Sequence, residues 1–245
     1  MKDIGLLTSV GIRNNLRSKV IVAVLIVVVL ICAISLVLAF CLLAIAPAMK
    51  LEVLDRHTLE MYLSVTIYGA CLIGLGINMN VFAQTIMREK SRGNITALLA
   101  TPLETSHIWV GKSLSVFLPG LIMGEVLGLI SLLVVNYIYF VPRIGFLINP
   151  WMVISSFVAV PLIYLSISLL VNIIGLAGKP ATANVIVQVF LPVFASLMIN
   201  LGVRHVLDAA SWIFTVANLG LSVIIVIIAV LLRPRLTRER IILSI

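Results

Sequence analysis

Six long apolar segments divide this chain and leave few residues between them. Each is long enough to cross roughly 30 Å of hydrocarbon as an α-helix, which needs about 20 apolar residues. A helix satisfies its own backbone hydrogen bonds in lipid, whereas an irregular segment does not. The sequence therefore predicts an all-α integral membrane protein with six transmembrane helices, at about residues 20–46, 61–86, 108–140, 151–177, 182–203 and 212–232.

The composition agrees with a membrane protein, since 62% of the residues are hydrophobic and 11% are charged. Roughly a quarter of the residues are charged in a typical soluble domain. Six spans fill residues 1–245 as a single transmembrane domain and leave no room for a separate soluble one. The formal net charge of +8 does not indicate nucleic acid, because the basic residues lie at the ends of spans. We therefore expect the chain to have the lipid bilayer as a partner and not to bind nucleic acid.

The basic residues also predict the orientation of the chain. An even number of crossings places both termini on one side, and 13 of the 17 Lys and Arg residues belong to that side. Cytoplasmic loops carry an excess of Lys and Arg. We therefore expect a multi-pass protein of the plasma membrane with both termini in the cytoplasm.

Residues 1–19 precede the first span and mix apolar with basic and amide side chains. This pattern is compatible with an interfacial helix that lies on the inner leaflet. A frayed tail is the alternative.

One long charged connector, residues 87–107, separates the second and third spans. Its run Arg88-Glu89-Lys90-Ser91-Arg92 is typical of a segment in water. Gly93 then breaks the chain, and Asn94 is a suitable N-cap for a new helix. Pro102 disfavours helical geometry at the residue before it and so ends that helix.

The new helix has one apolar face, formed by Ile95, Leu98 and Leu99 at i, i+3 and i+4. A helix of two turns is marginal in water and needs a surface on which to pack. The alternative is that residues 87–107 form an ordinary solvated loop.

The connector resembles that of the permease subunits of type-2 ABC transporters, an exporter-type family. The resemblance rests on Arg88-Glu89-Lys90, Gly93, the run Leu98-Leu99-Ala100-Thr101-Pro102-Leu103, and Gly111-Lys112, placed between the second and third of six spans. It implies that residues 87–107 form a cytoplasmic coupling helix, which docks into a groove of a separate ATP-binding subunit. The residues that it assigns to coupling are Arg88, Glu89, Lys90, Ile95, Leu98, Leu99 and Pro102.

The same resemblance implies the partners. Two permease subunits, as a homodimer or a heterodimer, pair with two ATPase subunits, which bind the ATP and magnesium. This chain then needs no cofactor of its own. The glycine- and proline-rich outer segment found before the last span in many members is absent here, because residues 203–211 are few. The subfamily and the substrate therefore stay open.

Catalytic chemistry within the chain is not indicated. Gly111-Lys112-Ser113 resembles the end of a phosphate-binding loop, but the pattern requires glycine at the position of Ser106. The three histidines, His57, His107 and His205, lack the spacing of metal ligands. We therefore expect a non-catalytic subunit without a nucleotide or metal site.

The third span carries Gly120, Gly124 and Gly128 at a spacing of four, which lets another helix approach closely. That helix belongs either to this protomer or to a second copy. Glu125 lies beside them, and a carboxylate inside a membrane span is by default a functional candidate. Alternatively it faces a water-filled vestibule or bonds to Ser131, Asn136 or another span.

Polar residues recur in two further spans. They are candidates for lining a transport pathway, and interhelical hydrogen bonding is the alternative explanation. These residues are Asn78, Asn80 and Gln84 in the second span and Gln188 and Asn200 in the fifth.

The sequence thus favours the permease subunit of an ATP-driven exporter. An ion- or proton-coupled secondary transporter that uses Glu125 is an alternative, although no internal repeat relates the halves as such transporters require. A membrane assembly factor without transport is a third possibility.

Overall fold

The structure is a computed structural model, and it describes residues 2–49, 55–178, 183, 185–203 and 208–243. Every regular element within these ranges is helical, which confirms the predicted all-α class. The helices are α1 (Lys2–Asn15), α2 (Lys19–Ala48), α3 (Arg56–Ser91), α4 (Asn94–Leu99), α5 (Thr105–Phe140), α6 (Pro150–Ala177), α7 (Leu191–Val203), α8 (Trp212–Leu232) and α9 (Arg238–Leu243).

Side-chain caps determine where three of the long helices begin. In each, a Ser or Asn before the first turn accepts a hydrogen bond from a backbone N–H that has no partner inside the helix. The α6 cap is followed by Pro150, whose fixed backbone suits the first helical position. The capping pairs are Ser18 with the Ile21 N–H (3.4 Å), Asn149 with the Trp151 N–H (2.9 Å) and Ser211 with the Phe214 N–H (3.2 Å).

Five helices are long and apolar enough to cross a membrane, and they mark the chain as a membrane protein. They correspond to the predicted spans one to four and six. The predicted fifth span, residues 182–203, contains the 13-residue helix α7 and a π-helical turn before it, Ile186–Phe190. Residues 179–182 and 184 lie outside the described ranges. The sixth crossing therefore remains a prediction.

Helix α3 occupies the centre of the bundle. It packs against α2, α5, α6 and α7, and its side chains contribute much of the main hydrophobic core. Its 36 residues extend about 54 Å at 1.5 Å per residue, which is well beyond the thickness of a hydrocarbon core. The second span and the first part of the connector are thus one continuous helix.

A separate hydrophobic cluster lies at the end of the bundle that holds the connector, here called the connector end. Helices α1, α4, α5, α6, α8 and α9 all contribute to it. We call it the connector cluster, and its buried members are Leu7, Ile95, Leu99, Ile108, Trp109, Ile173, Leu176, Ala229, Leu236 and Ile241.

Helix α1 packs closely on the first turns of α5. A Cβ atom added at Gly11 would lie 2.6 Å from Ser115 Cβ, and one added at Gly111 would lie 2.8 Å from Leu7 Cβ. Thr8 and Asn15 donate hydrogen bonds to backbone carbonyls of α5. Residues 2–15 therefore form a docked helix and not a frayed tail.

Candidate functional site

The connector contains the predicted short helix, α4, but the helix begins differently from the prediction. Gly93 is the N-terminal flanking residue, with a left-handed φ of 74° that glycine adopts without strain. Asn94, predicted as the cap, is already the first helical residue. The Gly93 N–H bonds back to the Lys90 carbonyl at 3.1 Å, so the turn between α3 and α4 is tight.

The apolar face of α4 packs against the chain itself. Ile95 is 2% exposed and Leu99 is 4% exposed, and both belong to the connector cluster. Leu98 is half-buried at the edge of the same cluster. Ile95 and Leu99 thus attach α4 to the rest of the chain. The coupling role that the resemblance assigns to all three side chains stays a prediction.

Lys90 holds the end of α6. Its side chain is 1% exposed, and its Nζ donates to the carbonyl oxygens of Gly175 (3.1 Å), Leu176 (3.1 Å) and Gly178 (2.8 Å). The last carbonyls of a helix have no partner within it and carry partial negative charge, so a cation there is favourable. Burial lowers the pKa of the Lys90 ammonium. Lys90 thus joins the connector end of α3 to the connector end of α6.

The neighbouring residue, Glu89, joins α3 to two other helices. Its Oε2 accepts from Lys112 Nζ of α5 at 2.5 Å, and its Oε1 accepts from Asn14 Nδ2 of α1 at 3.2 Å. Glu89 and Lys112 are each about nine-tenths buried, which makes both members of this ion pair dependent on the other. The charged run that the sequence places in water therefore supplies two buried contacts.

Arg238 of α9 holds the other end of α4. Its guanidinium donates to the carbonyl oxygens of Leu99 (2.9 Å), Thr101 (3.3 Å) and Leu103 (2.8 Å). Thr105 Oγ1 also donates to the Leu236 carbonyl at 3.0 Å. The segment after the last span thus fixes the chain around Pro102, where α4 has ended.

One edge of the connector is left uncovered. Asn94 and Ala97 of α4 are exposed, as are Ala100, Thr101 and Pro102 after it. These five residues, the exposed edge, lie opposite the buried Ile95 and Leu99. The side chain of Arg88 lies outside the described residues.

The residues predicted to line a pathway differ in burial, and their role stays a prediction. Asn78 is 1% exposed and packs beside Gly120, with its Oδ1 unpaired within the described chain. Asn80 is half-buried. Gln188 and Asn200, in contrast, are exposed on α7 and the turn before it. The side chain of Gln84 lies outside the described residues.

Glu125 is half-buried in α5, and no hydrogen bond or ion pair joins it to another described residue. The two expected bonding partners are engaged elsewhere. Ser131 Oγ donates to the Leu127 carbonyl, and Asn136 bonds to Leu132 and Leu147.

The three glycines of α5 face other helices of the same chain. A Cβ at Gly124 would lie 2.9 Å from Leu75 Cγ and 3.1 Å from the Cys71 carbonyl oxygen of α3. Gly120 faces Asn78, and Gly128 faces Cys71 and Phe157. The close approach of helices at this face therefore lies within the protomer.

Several contacts of the site are absent from the sequence prediction. Asn14 and Arg238 are distant in sequence from residues 88–102, Lys112 lies on the following helix, and the partners of all three depend on how the helices pack. One sequence feature points to Lys112: it is a lone cation at the start of an apolar span. Within the described ranges, no group of three or more His, Cys, Asp or Glu residues is arranged to hold a metal ion.

The chain matches no protein-family model, no curated protein and no solved structure. The resemblance to type-2 ABC permeases therefore rests on the connector residues, on Gly111-Lys112 and on their position between the second and third spans.

Proposed function

We propose that this chain is the membrane-spanning permease subunit of an ATP-driven exporter. The observation that carries the proposal is the connector. A two-turn helix packs its apolar face into the connector cluster and is held at its end by Arg238 of α9, and only one edge of it is exposed. A force applied to that edge would pass directly into the long helices.

The exposed edge is the part of the coupling segment that meets an ATPase subunit. Pro102 lies on this edge, whereas Ile95 and Leu99 transmit the load inward through the connector cluster. Glu89 and Lys90 act as positioning residues, because they hold α3 against α5 and α6. ATP and magnesium are bound by the partner, and this chain carries no catalytic group.

Two copies of the permease, or one copy and a related chain, form the transport unit, with six crossings each and both termini in the cytoplasm. The exposed face of α7 is an argument for a protein partner in the membrane. Its exposed side chains include Ser196 and Asn200, and Gln188 precedes it, among exposed Val189, Val193 and Leu197. Polar groups that face lipid are unfavourable, so this face is better covered by protein or by a water-filled path.

A secondary transporter that uses Glu125 is the second candidate. The observation in its favour is that this half-buried carboxylate has no bonded partner among the described residues. Transport driven by a proton gradient without ATP, and lost in Glu125→Gln, would favour this candidate over the exporter.

The exposed edge provides the test of the exporter proposal. In Ala97→Glu/Ala100→Glu, both positions are exposed, so the fold should persist while two carboxylates enter the partner interface. We expect retention of the ATP-binding-cassette subunit that co-purifies with the wild-type chain to fall at least about tenfold, which corresponds to about 1.4 kcal/mol. Pro142→Glu, in the exposed turn at the opposite end, is the matched control. Full retention and full ATP-dependent transport by the double variant would contradict the proposal.

A further inference from the structure

A cleft of about 780 Å³ opens at the connector end, between the α1–α2 junction and the end of α3. Each wall carries both apolar and cationic side chains. The α1–α2 junction contributes Ile21 and Arg17, and α3 with the residues after it contributes Val81 and Arg92. Ile21 and Val81 belong to apolar spans, whereas the two arginines lie beyond the ends of those spans, so the lining changes from apolar to cationic along the helices.

The charge of this lining is positive. Arg17 and Arg92 are exposed, and no hydrogen bond or ion pair joins either guanidinium to another described residue. Glu89, which also lines the cleft, is already paired with Lys112 at 2.5 Å. Two guanidinium groups are thus available to an anion, and guanidinium suits phosphate because it donates two parallel hydrogen bonds.

Ser18 adds a neutral donor next to Arg17. Its Oγ accepts from the Ile21 N–H at the start of α2, so its hydroxyl proton is available to a ligand in the cleft.

We infer that this cleft binds an anionic membrane lipid, with its phosphate between Arg17 and Arg92 and its acyl chains along Ile21 and Val81. Basic pockets between membrane helices on the cytoplasmic side are suited to anionic headgroups. The apolar part of the lining favours an amphiphile over a small soluble anion, because it removes hydrocarbon from water. This inference does not depend on the exporter proposal.

The test measures lipid binding to the full chain in detergent. After the bound lipid has been stripped, the protein is titrated with phosphatidylglycerol or phosphatidylcholine, and retained lipid is counted by native mass spectrometry. We expect the protein to retain one phosphatidylglycerol molecule tightly and to retain phosphatidylcholine more weakly. Equal retention of the two lipids by the wild type would overturn the inference without the need for any variant.

A charge-matched pair of variants locates the site. Arg17→Gln/Arg92→Gln should weaken phosphatidylglycerol binding roughly 25-fold, at about fivefold for each cation. Arg233→Gln/Arg235→Gln removes two exposed arginines from the segment after α8, neither of which lines the cleft, and binding should stay within about twofold because exposed charges outside the site are screened. If both double variants weaken phosphatidylglycerol binding equally, the attraction is a general property of the basic surface, and the assignment of the site to this cleft is wrong.

A competition experiment distinguishes a lipid headgroup from a soluble phosphate as the ligand. Soluble glycerol phosphate should displace the lipid weakly, and Ile21→Ser should lower lipid affinity without changing the weak binding of glycerol phosphate. If glycerol phosphate binds as tightly as phosphatidylglycerol, the cleft is a site for soluble phosphates, and the lipid assignment is wrong.

Discussion

Helices α2 and α3 are neighbours in sequence and in space, yet they differ in burial. In the most apolar stretch of each, 72% of the α3 residues are buried and 17% of the α2 residues are. Helix α2 is an almost unbroken run of aliphatic side chains, whereas α3 contains Ser64, Thr66, Gly74 and Asn78. Lipid solvates aliphatic side chains as well as a protein core does, so small and polar residues determine which helices associate. The less hydrophobic of the two helices is therefore the central one.

The largest expected effect comes from Gly124→Leu, which places a bulky side chain at the closest approach of α5 to α3. The first added carbon alone would lie 3.1 Å from a backbone oxygen of α3, so the helices must separate. We expect a loss of about 3 kcal/mol in stability, the upper part of the usual range for overpacking. Thermal unfolding in detergent measures it.

Val27→Leu is the control for Gly124→Leu, since it enlarges a side chain that is 53% exposed on α2. Its unfolding midpoint should equal that of the wild type. If both substitutions change the midpoint equally, the proposed contrast between the packed helix α3 and the exposed helix α2 is wrong.

The comparison extends to the connector through two adjacent leucines. Leu99→Ala should cost about 2 kcal/mol, because Leu99 is 4% exposed within the connector cluster. Leu98→Ala should cost less than about 1 kcal/mol, because Leu98 is half-buried. Hydrogen exchange of the α4 amides, together with global unfolding, distinguishes the two. A larger effect at Leu98 would mean that α4 packs with its other face inward.

A smaller effect is expected from Lys90→Met, which removes three donated hydrogen bonds from the end of α6. The loss should be about 1.5 kcal/mol, because the desolvation of a buried charge offsets part of what charged hydrogen bonds contribute. Arg92→Met, at an exposed position two residues away, should have no measurable effect. Amide exchange in the last turn of α6 should rise only in the Lys90 variant. If Lys90→Met is more stable than the wild type, Lys90 does not brace α6.

Much of the helical layout could be predicted from local chemistry. The apolar runs predict helix starts at about residues 20, 151 and 212, and α2, α6 and α8 begin within one residue of these positions, each capped by a Ser or Asn side chain. The sequence also predicts the break at Gly93. It places the start of α4 one residue too late, because glycine with a positive φ, and not Asn94, flanks the helix.

The electrostatic environment of the connector could not be predicted in this way. A run of Arg, Glu and Lys is usually solvated, and only the tertiary arrangement brings the end of α6 to Lys90 and the start of α5 to Glu89. The burial of Leu99 has the same cause. An amphipathic helix shows that it needs a surface, but the periodicity does not say whether this chain or a partner supplies it.

The central claim is that the connector's exposed edge contacts an ATPase, and site-specific photo-crosslinking in membranes tests it most directly. A photoreactive side chain at exposed Ala97 should crosslink to the ATP-binding-cassette subunit. One at Pro142, in the exposed turn at the opposite end, should not. Crosslinking from Ala97 that depends on the ATPase being present is the predicted result. No ATPase adduct from Ala97, in membranes where the transporter is active, would contradict the account.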